Sequence, residues 1–257
     1  MRAEWTKLRT LQSTGWLLLG LAVSTAGIGA LTAWSVPTEC LAPEAGCRED
    51  IARYSLAGVY LGQIAVVVLA TLAVTAEYGT QTIKGTLAAE PRRGVVFAAK
   101  AGVLIALVAG AGAVGVLGAL AAGRPLLIGN GFTTANGYWP LSLGTEPILR
   151  AAGGTVLYYL LIALLSYGVG VIVRHTAAAL SAVLTALFVL PMLTSLFTGK
   201  YAEWILKYSP MTAGLSIQAT ERLETMLLQP WEGLGLLAAY AGAALLTGAV
   251  LFAVRDA

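Results

Sequence analysis

Charge is what this sequence has least of. Only 11% of its 257 residues are Asp, Glu, Lys or Arg, where a soluble domain carries about a quarter. Histidine occurs once and cysteine twice. The lone His175 sits beside Arg174 in a short turn, with no second ligand or proton-transfer partner near it in sequence, so a metal or acid–base role lacks its other members. No G-x-x-x-x-G-K-[ST] stretch exists; "GNGFTTANG" is glycine-rich but has no lysine, which excludes nucleotide binding by that route. The net charge of +3, without a basic arm, argues against nucleic acid as a partner. No set of acid, base, metal ligands and nucleophile points to catalysis, so the chain itself is read as a non-enzyme with no catalytic or metal site.

What is abundant is apolar surface. Hydrophobic residues make up 58% of the chain, and the mean hydropathy is +0.78. Six apolar runs have spanning length: 16–34, 56–76, 101–122, 151–173, 176–197 and 234–254. The first follows a basic start, yet is longer than a signal-peptide core, and is read as a retained span. The expected fold is therefore an all-α membrane protein in one domain, 1–257, with six transmembrane helices. The centres of the runs hold no Lys, Arg, Asp, Glu or His, which argues against a buried proton relay. Milder polar residues remain. Gln63, Thr71, Tyr158, Tyr159, Tyr167 and Thr194 either bond neighbouring helices or line a path for an amphipathic cargo. Pro191 should distort the fifth run. Small residues in "GAGAVGVLGALAAG" mark a close helix-packing surface.

An even number of spans puts both termini on one side. With the termini cytoplasmic, nine basic residues fall in about 40 inside residues and seven in about 80 outside, as the positive-inside rule requires. Cys40 and Cys47 then share the first outside loop, "SVPTECLAPEAGCRED". Their spacing suits a disulfide in an oxidising compartment, two free thiols being the alternative.

The segments between spans divide into plain and elaborate ones. "MRAEWTKLRTLQSTGW" interleaves Arg2, Glu4, Lys7 and Arg9 with apolar positions and predicts an amphipathic helix lying in the headgroup layer. "GRPLLIGNGFTTANGYWPLSLGTEP" reads as turns and irregular chain. "YAEWILKYS" and "MTAGLSIQATERLETMLL" predict two short outer helices, broken at Pro210, before the last span. "EYGTQTIKGTLAAEPRRGVVFAAK", residues 77–100, joins the second and third spans. Ile83 and Leu87 share one helical face at i, i+4, and Pro91 disfavours helix at Glu90. The Arg174–His175 turn shows how short an inner connection can be, so these residues are read as a docking segment.

That segment, the amphipathic "EWTKLRT" and the paired outer helices resemble the permease subunit of ABC-2 type transporters, actinobacterial-like members in particular. The likeness covers most of the chain by topology and about 25 residues by sequence. It implies the membrane subunit of an ATP-driven exporter in a bacterial plasma membrane. The partners it implies are a separate ATP-binding subunit, holding ATP and Mg, and a second permease copy or sister. No cofactor is expected in this chain. Ile83, Lys84, Thr86 and Leu87 would form a cytoplasmic coupling helix. Glu77 would be its hinge, and Arg92 and Arg93 would touch the ATPase or anionic lipid. Trp5, Lys7 and Leu8 would belong to the connecting helix. An apolar, mildly polar lining suits a hydrophobic, amphipathic or lipid-like cargo moved by alternating access. A membrane scaffold or sensor that docks a cytoplasmic partner through the same loop is the alternative.

Overall fold

The computed structural model describes residues 12–38, 49–80, 92–138, 140–197 and 199–254. Most of these residues are helical, with no strand among them. Six helices are long and apolar enough to cross a membrane: α1 (Gln12–Ser35), α3 (Val59–Gly79), α4 (Arg93–Gly129), α5 (Glu146–Val173), α6 (Thr176–Leu196) and α9 (Pro230–Val254). Three short helices join them: α2 (Ile51–Ser55), α7 (Lys200–Tyr208) and α8 (Pro210–Leu215). The chain is thus a multi-pass helical bundle of membrane-spanning composition.

α5 is the centre. It packs against α3, α4, α6 and α9, while α1 lies across α3 and α4. Its Tyr158, Tyr159, Ile162, Ala163 and Tyr167 are essentially inaccessible and anchor the main apolar core. A second core at one end gathers Ile51, Leu56, Leu127, Phe132, Tyr138 and Ile148. The outer faces stay apolar: Trp16, Leu19, Val23 and Trp34 on α1, and Leu246, Val250 and Val254 on α9, are exposed. Such a perimeter suits hydrocarbon and not water.

Glycine sets the tightest crossing. A Cβ on Gly29 would lie 2.0 Å from the Ser55 carbonyl oxygen, and one on Gly58 2.2 Å from that of Thr25. Both obstacles are backbone, so α1 and the α2–α3 corner meet at a distance that no larger residue permits. Asn130, just past α4, then caps α1: its Nδ2 donates to the carbonyls of Ala33 (2.9 Å), Trp34 (2.9 Å) and Val36 (3.2 Å). Ala33 and Trp34 lie in the last turn of α1, where helix carbonyls need partners from outside.

Several expectations need correction. α4 begins at Arg93, not 101, and runs to Gly129 through Pro125. Lys100 is therefore helical and buried rather than a loop residue, and Leu126, Leu127 and Ile128 are helical rather than irregular. At 1.5 Å per residue α4 is about 55 Å long, well beyond the ~30 Å hydrocarbon layer, so its ends extend past the apolar run that hydropathy detects. The fifth span is uneven: regular to Leu184, a π turn over Thr185–Val189, and a 3-10 turn over Leu193–Leu196. Pro191, which lacks an N–H, sits between those irregular turns. The second of the short helices ends early. After Pro210–Leu215 and a 3-10 turn over Ser216–Gln218, the chain leaves helix at Ala219. The expected N-terminal amphipathic helix, with Trp5, Lys7 and Leu8, lies outside the described residues, as do Cys40 and Cys47.

Candidate functional site

Residues 81–91 lie outside the described residues; in sequence they connect the end of α3 to the start of α4. Among the described residues, Glu77 and Lys100 on either side of them form a buried ion pair. Lys100 Nζ donates to Glu77 Oε1 at 2.5 Å, with each side chain 5% exposed. The pair joins two helices across 23 positions of sequence. Glu77 lies in the last turn of α3, where the helix macrodipole opposes an anion. The ammonium of Lys100 offsets that and the loss of water. A buried pair of this kind contributes little net stability, but removing one partner leaves an uncompensated charge.

Further contacts brace the same end. The guanidinium of Arg174 lies over the Tyr78 ring, 4.9 Å from its centroid, tying the α5 terminus to α3. Arg174 caps α5 in the left-handed region (φ 58°), where its N–H reaches the Gly170 carbonyl at 2.9 Å. His175 then opens α6, its Nδ1 accepting from the Ala178 N–H at 3.4 Å. The histidine serves as a helix cap. Thr176 donates its hydroxyl proton to Thr75 (2.8 Å), which donates to the Thr71 carbonyl (2.9 Å). Tyr167 OH donates to the Phe97 carbonyl (2.9 Å) and stacks edge-on against that ring, which also meets Phe252.

The described members of the expected coupling set divide by role. Glu77, the expected hinge, is a buried ion-pair partner in the last turn of α3. Arg93 caps α9, its Nη1 donating to the carbonyls of Phe252 (3.3 Å) and Ala253 (3.5 Å). Arg92 is exposed at the N-cap of α4. Ile83, Lys84, Thr86 and Leu87 lie outside the described residues.

The residues considered for a cargo path lie inside the packed core of the chain, with one exception. Tyr158 OH donates to Gln63 Oε1, and Gln63 Nε2 contacts the Met211 sulfur at 3.2 Å. Thr25 gives its proton to the Leu21 carbonyl (2.7 Å), so Tyr159 is the donor in the 2.7 Å bond between Tyr159 and Thr25. Thr71 is fully buried, and its hydroxyl has no partner among the described residues. Thr194 is half-buried and donates to the Pro191 carbonyl at 2.6 Å. Within one chain these groups mostly join helices.

Sequence reasoning missed the partner of Glu77. The available signal was two opposite charges flanking the 81–91 segment where hydropathy had already begun to rise. Comparison with protein-family models finds no match. Comparison with curated proteins finds none either. The reading of this end rests on its own residues.

Proposed function

We propose that the chain is the membrane-spanning permease subunit of an ATP-driven exporter of the ABC-2 type. Residues 81–91 dock a separate ATP-hydrolysing subunit from the cytoplasm, and a second permease subunit completes the transport path. ATP and Mg are bound by the ATPase partner. Cargo is hydrophobic or amphipathic and moves outward by alternating access between the two permease subunits. Both termini are cytoplasmic in this reading.

The Glu77–Lys100 pair carries the proposal. A docked loop transmits force only where its two roots move as one body. A buried ion pair on the last turn of α3 and the second turn of α4 supplies that joint. Arg174 on Tyr78 and Arg93 on the α9 terminus extend it to α5 and α9. The resemblance of "EYGTQTIKGTLAAEPRR" to the coupling segment supplies the identity of the partner.

The test is purification from the native membrane in mild detergent, with ATPase activity assayed in the eluate, for wild type and Leu87→Asp. Co-purification of a P-loop ATPase with wild type, and its loss or uncoupling in Leu87→Asp, supports the exporter. A partner without a P-loop, or no partner, moves the chain to the scaffold or sensor class. Reversing Arg93 would confound the assay, because that side chain caps α9.

A further inference from the structure

A cleft of about 250 Å³ opens at the other end of α3, lined by Arg53, Tyr60, Met211, Thr212, Leu215 and Gln218. Tyr60 is 17 positions from Glu77, or about 25 Å along the helix. The cleft is therefore separate from the proposed docking end.

Its polar groups are under-used by the protein. Arg53 is half exposed, and among the described residues its side-chain contact is a 3.8 Å approach of Nε to Asp50. Asp50 has donors of its own: Thr220 N–H (2.7 Å), Thr220 OH (2.7 Å), Glu221 N–H (3.4 Å) and Arg53 N–H (3.3 Å). The outer nitrogens of Arg53 thus remain available to a ligand. Gln218 is 3% exposed. Its Nε2 is committed to Thr155 at 2.9 Å, which leaves its amide oxygen as an acceptor in the wall. Tyr60 is partly exposed and offers a hydroxyl. Met211 and Leu215 make an apolar floor, and beneath Met211 lies the buried Gln63–Tyr158 bond.

The setting fixes the depth. α7 packs beside α8, and the Thr212 hydroxyl bonds back to the Leu206 carbonyl. No residue of α7 is buried. Tyr201, Trp204 and Tyr208 are exposed, Trp204 and Tyr208 in ring contact at 4.9 Å, with Lys207 over Tyr208 at 5.8 Å. A short helix bearing exposed Trp and Tyr with Lys at both ends suits the headgroup layer. A cation, a hydroxyl and an acceptor above an apolar floor, at that depth, match a phosphate head with a hydroxylated or aminated substituent and an attached acyl chain.

We infer that this cleft binds the phosphate head of an amphipathic anion, Arg53 pairing with the phosphate and Gln218 accepting from its polar substituent, and that a glycerophospholipid is the source the surroundings favour. The inference is independent of the ATPase proposal.

The test is native mass spectrometry of delipidated protein titrated with phosphatidylglycerol, with phosphatidylcholine and inorganic phosphate as separate arms. Wild type is expected to retain one phosphatidylglycerol. Arg53→Gln should weaken it at least about tenfold and Tyr60→Phe by less, while Lys200→Gln, on α7 outside the cleft, changes nothing. Both cleft variants alter partly exposed side chains, and an unchanged unfolding midpoint confirms their fold. Displacement of the lipid by millimolar inorganic phosphate assigns the site to a free anion and overturns the lipid source. Equal binding by Arg53→Gln overturns the site itself. So does an equal loss in Lys200→Gln, which marks general surface attraction.

Discussion

The two ends of the bundle solve the same problem with different chemistry. At the Glu77 end, α3 and α4 are joined by a buried pair of full charges, with Arg174 over Tyr78 beside it. At the Asp50 end, connecting segments fold back as short helices and turns. There a largely buried carboxylate, Asp50, collects backbone and hydroxyl donors from a segment 170 positions away, and Glu49, Thr38 and Tyr138 form a second polar knot. The charged joint is sensitive to one-sided change: removing either member takes from the other a charge that offsets its burial. The hydrogen-bonded end is more redundant, because its acceptors have several donors each. A stiff joint suits the end proposed above to dock the ATPase. A many-bonded cap suits an end that holds a shape around a cleft.

The largest effect should come from breaking the joint. Lys100→Met alone should cost about 3–5 kcal/mol in detergent unfolding, and the Glu77→Gln/Lys100→Met double variant should recover most of it. A double variant no better than the single would mean that the two residues act independently. At the other end, Asp50→Ala removes a charged acceptor from several donors at once. It should cost about 2 kcal/mol, with loosening near Thr220 visible by hydrogen exchange. A loss as large as that of Lys100→Met would erase the contrast between the ends.

A smaller effect sharpens the view of Arg174. Arg174→Gly and Arg174→Ala both lose the contact with Tyr78, but alanine keeps the cost of a left-handed backbone. Arg174→Ala should therefore unfold more easily than Arg174→Gly by about 1 kcal/mol. Equal midpoints would show that the turn relaxes. The smallest effect is a titration. Burial, then the neighbouring Glu49 carboxylate, raises the Tyr138 hydroxyl above its ordinary value of 10.0. A raised acid favours folding in its neutral form, so its contribution is whole below pH 10 and is lost as pH climbs through the folded-state value. Between pH 8 and 11, wild type should lose more stability than Tyr138→Phe.

Much of the architecture was legible because a membrane simplifies the code. A run of about 20 apolar residues needs no partner to be recognised, so all six spans were found, including the one that Pro191 distorts. Their ends were not, because helix continues into polar layers where hydropathy fades; α4 carries Lys100 and Arg124 within it for that reason. α7 was visible from the spacing of Tyr201, Trp204 and Tyr208. The Asp50–Thr220 bonds were invisible, since nothing local in either stretch announces a partner 170 positions away. Gln63, Tyr158 and Tyr159 could be singled out as polar residues in apolar runs. That Tyr158 bonds Gln63 while Tyr159 bonds Thr25 depends on how α1, α3 and α5 cross. The 81–91 segment was singled out by composition, and its described roots, Glu77 and Lys100, came together only in three dimensions.

The most direct test of the charged joint is the distance between its two roots. Gly79 and Gly94 flank residues 81–91, and a Cβ at either would meet open space. Spin labels placed there through a non-canonical amino acid leave Cys40 and Cys47 untouched. Dipolar spectroscopy should give one narrow distance distribution in wild type, broadening in Lys100→Met and narrowing again in Glu77→Gln/Lys100→Met. The same narrow distribution in all three proteins would mean that the pair does not hold the segment, and the stiff joint would have to be abandoned.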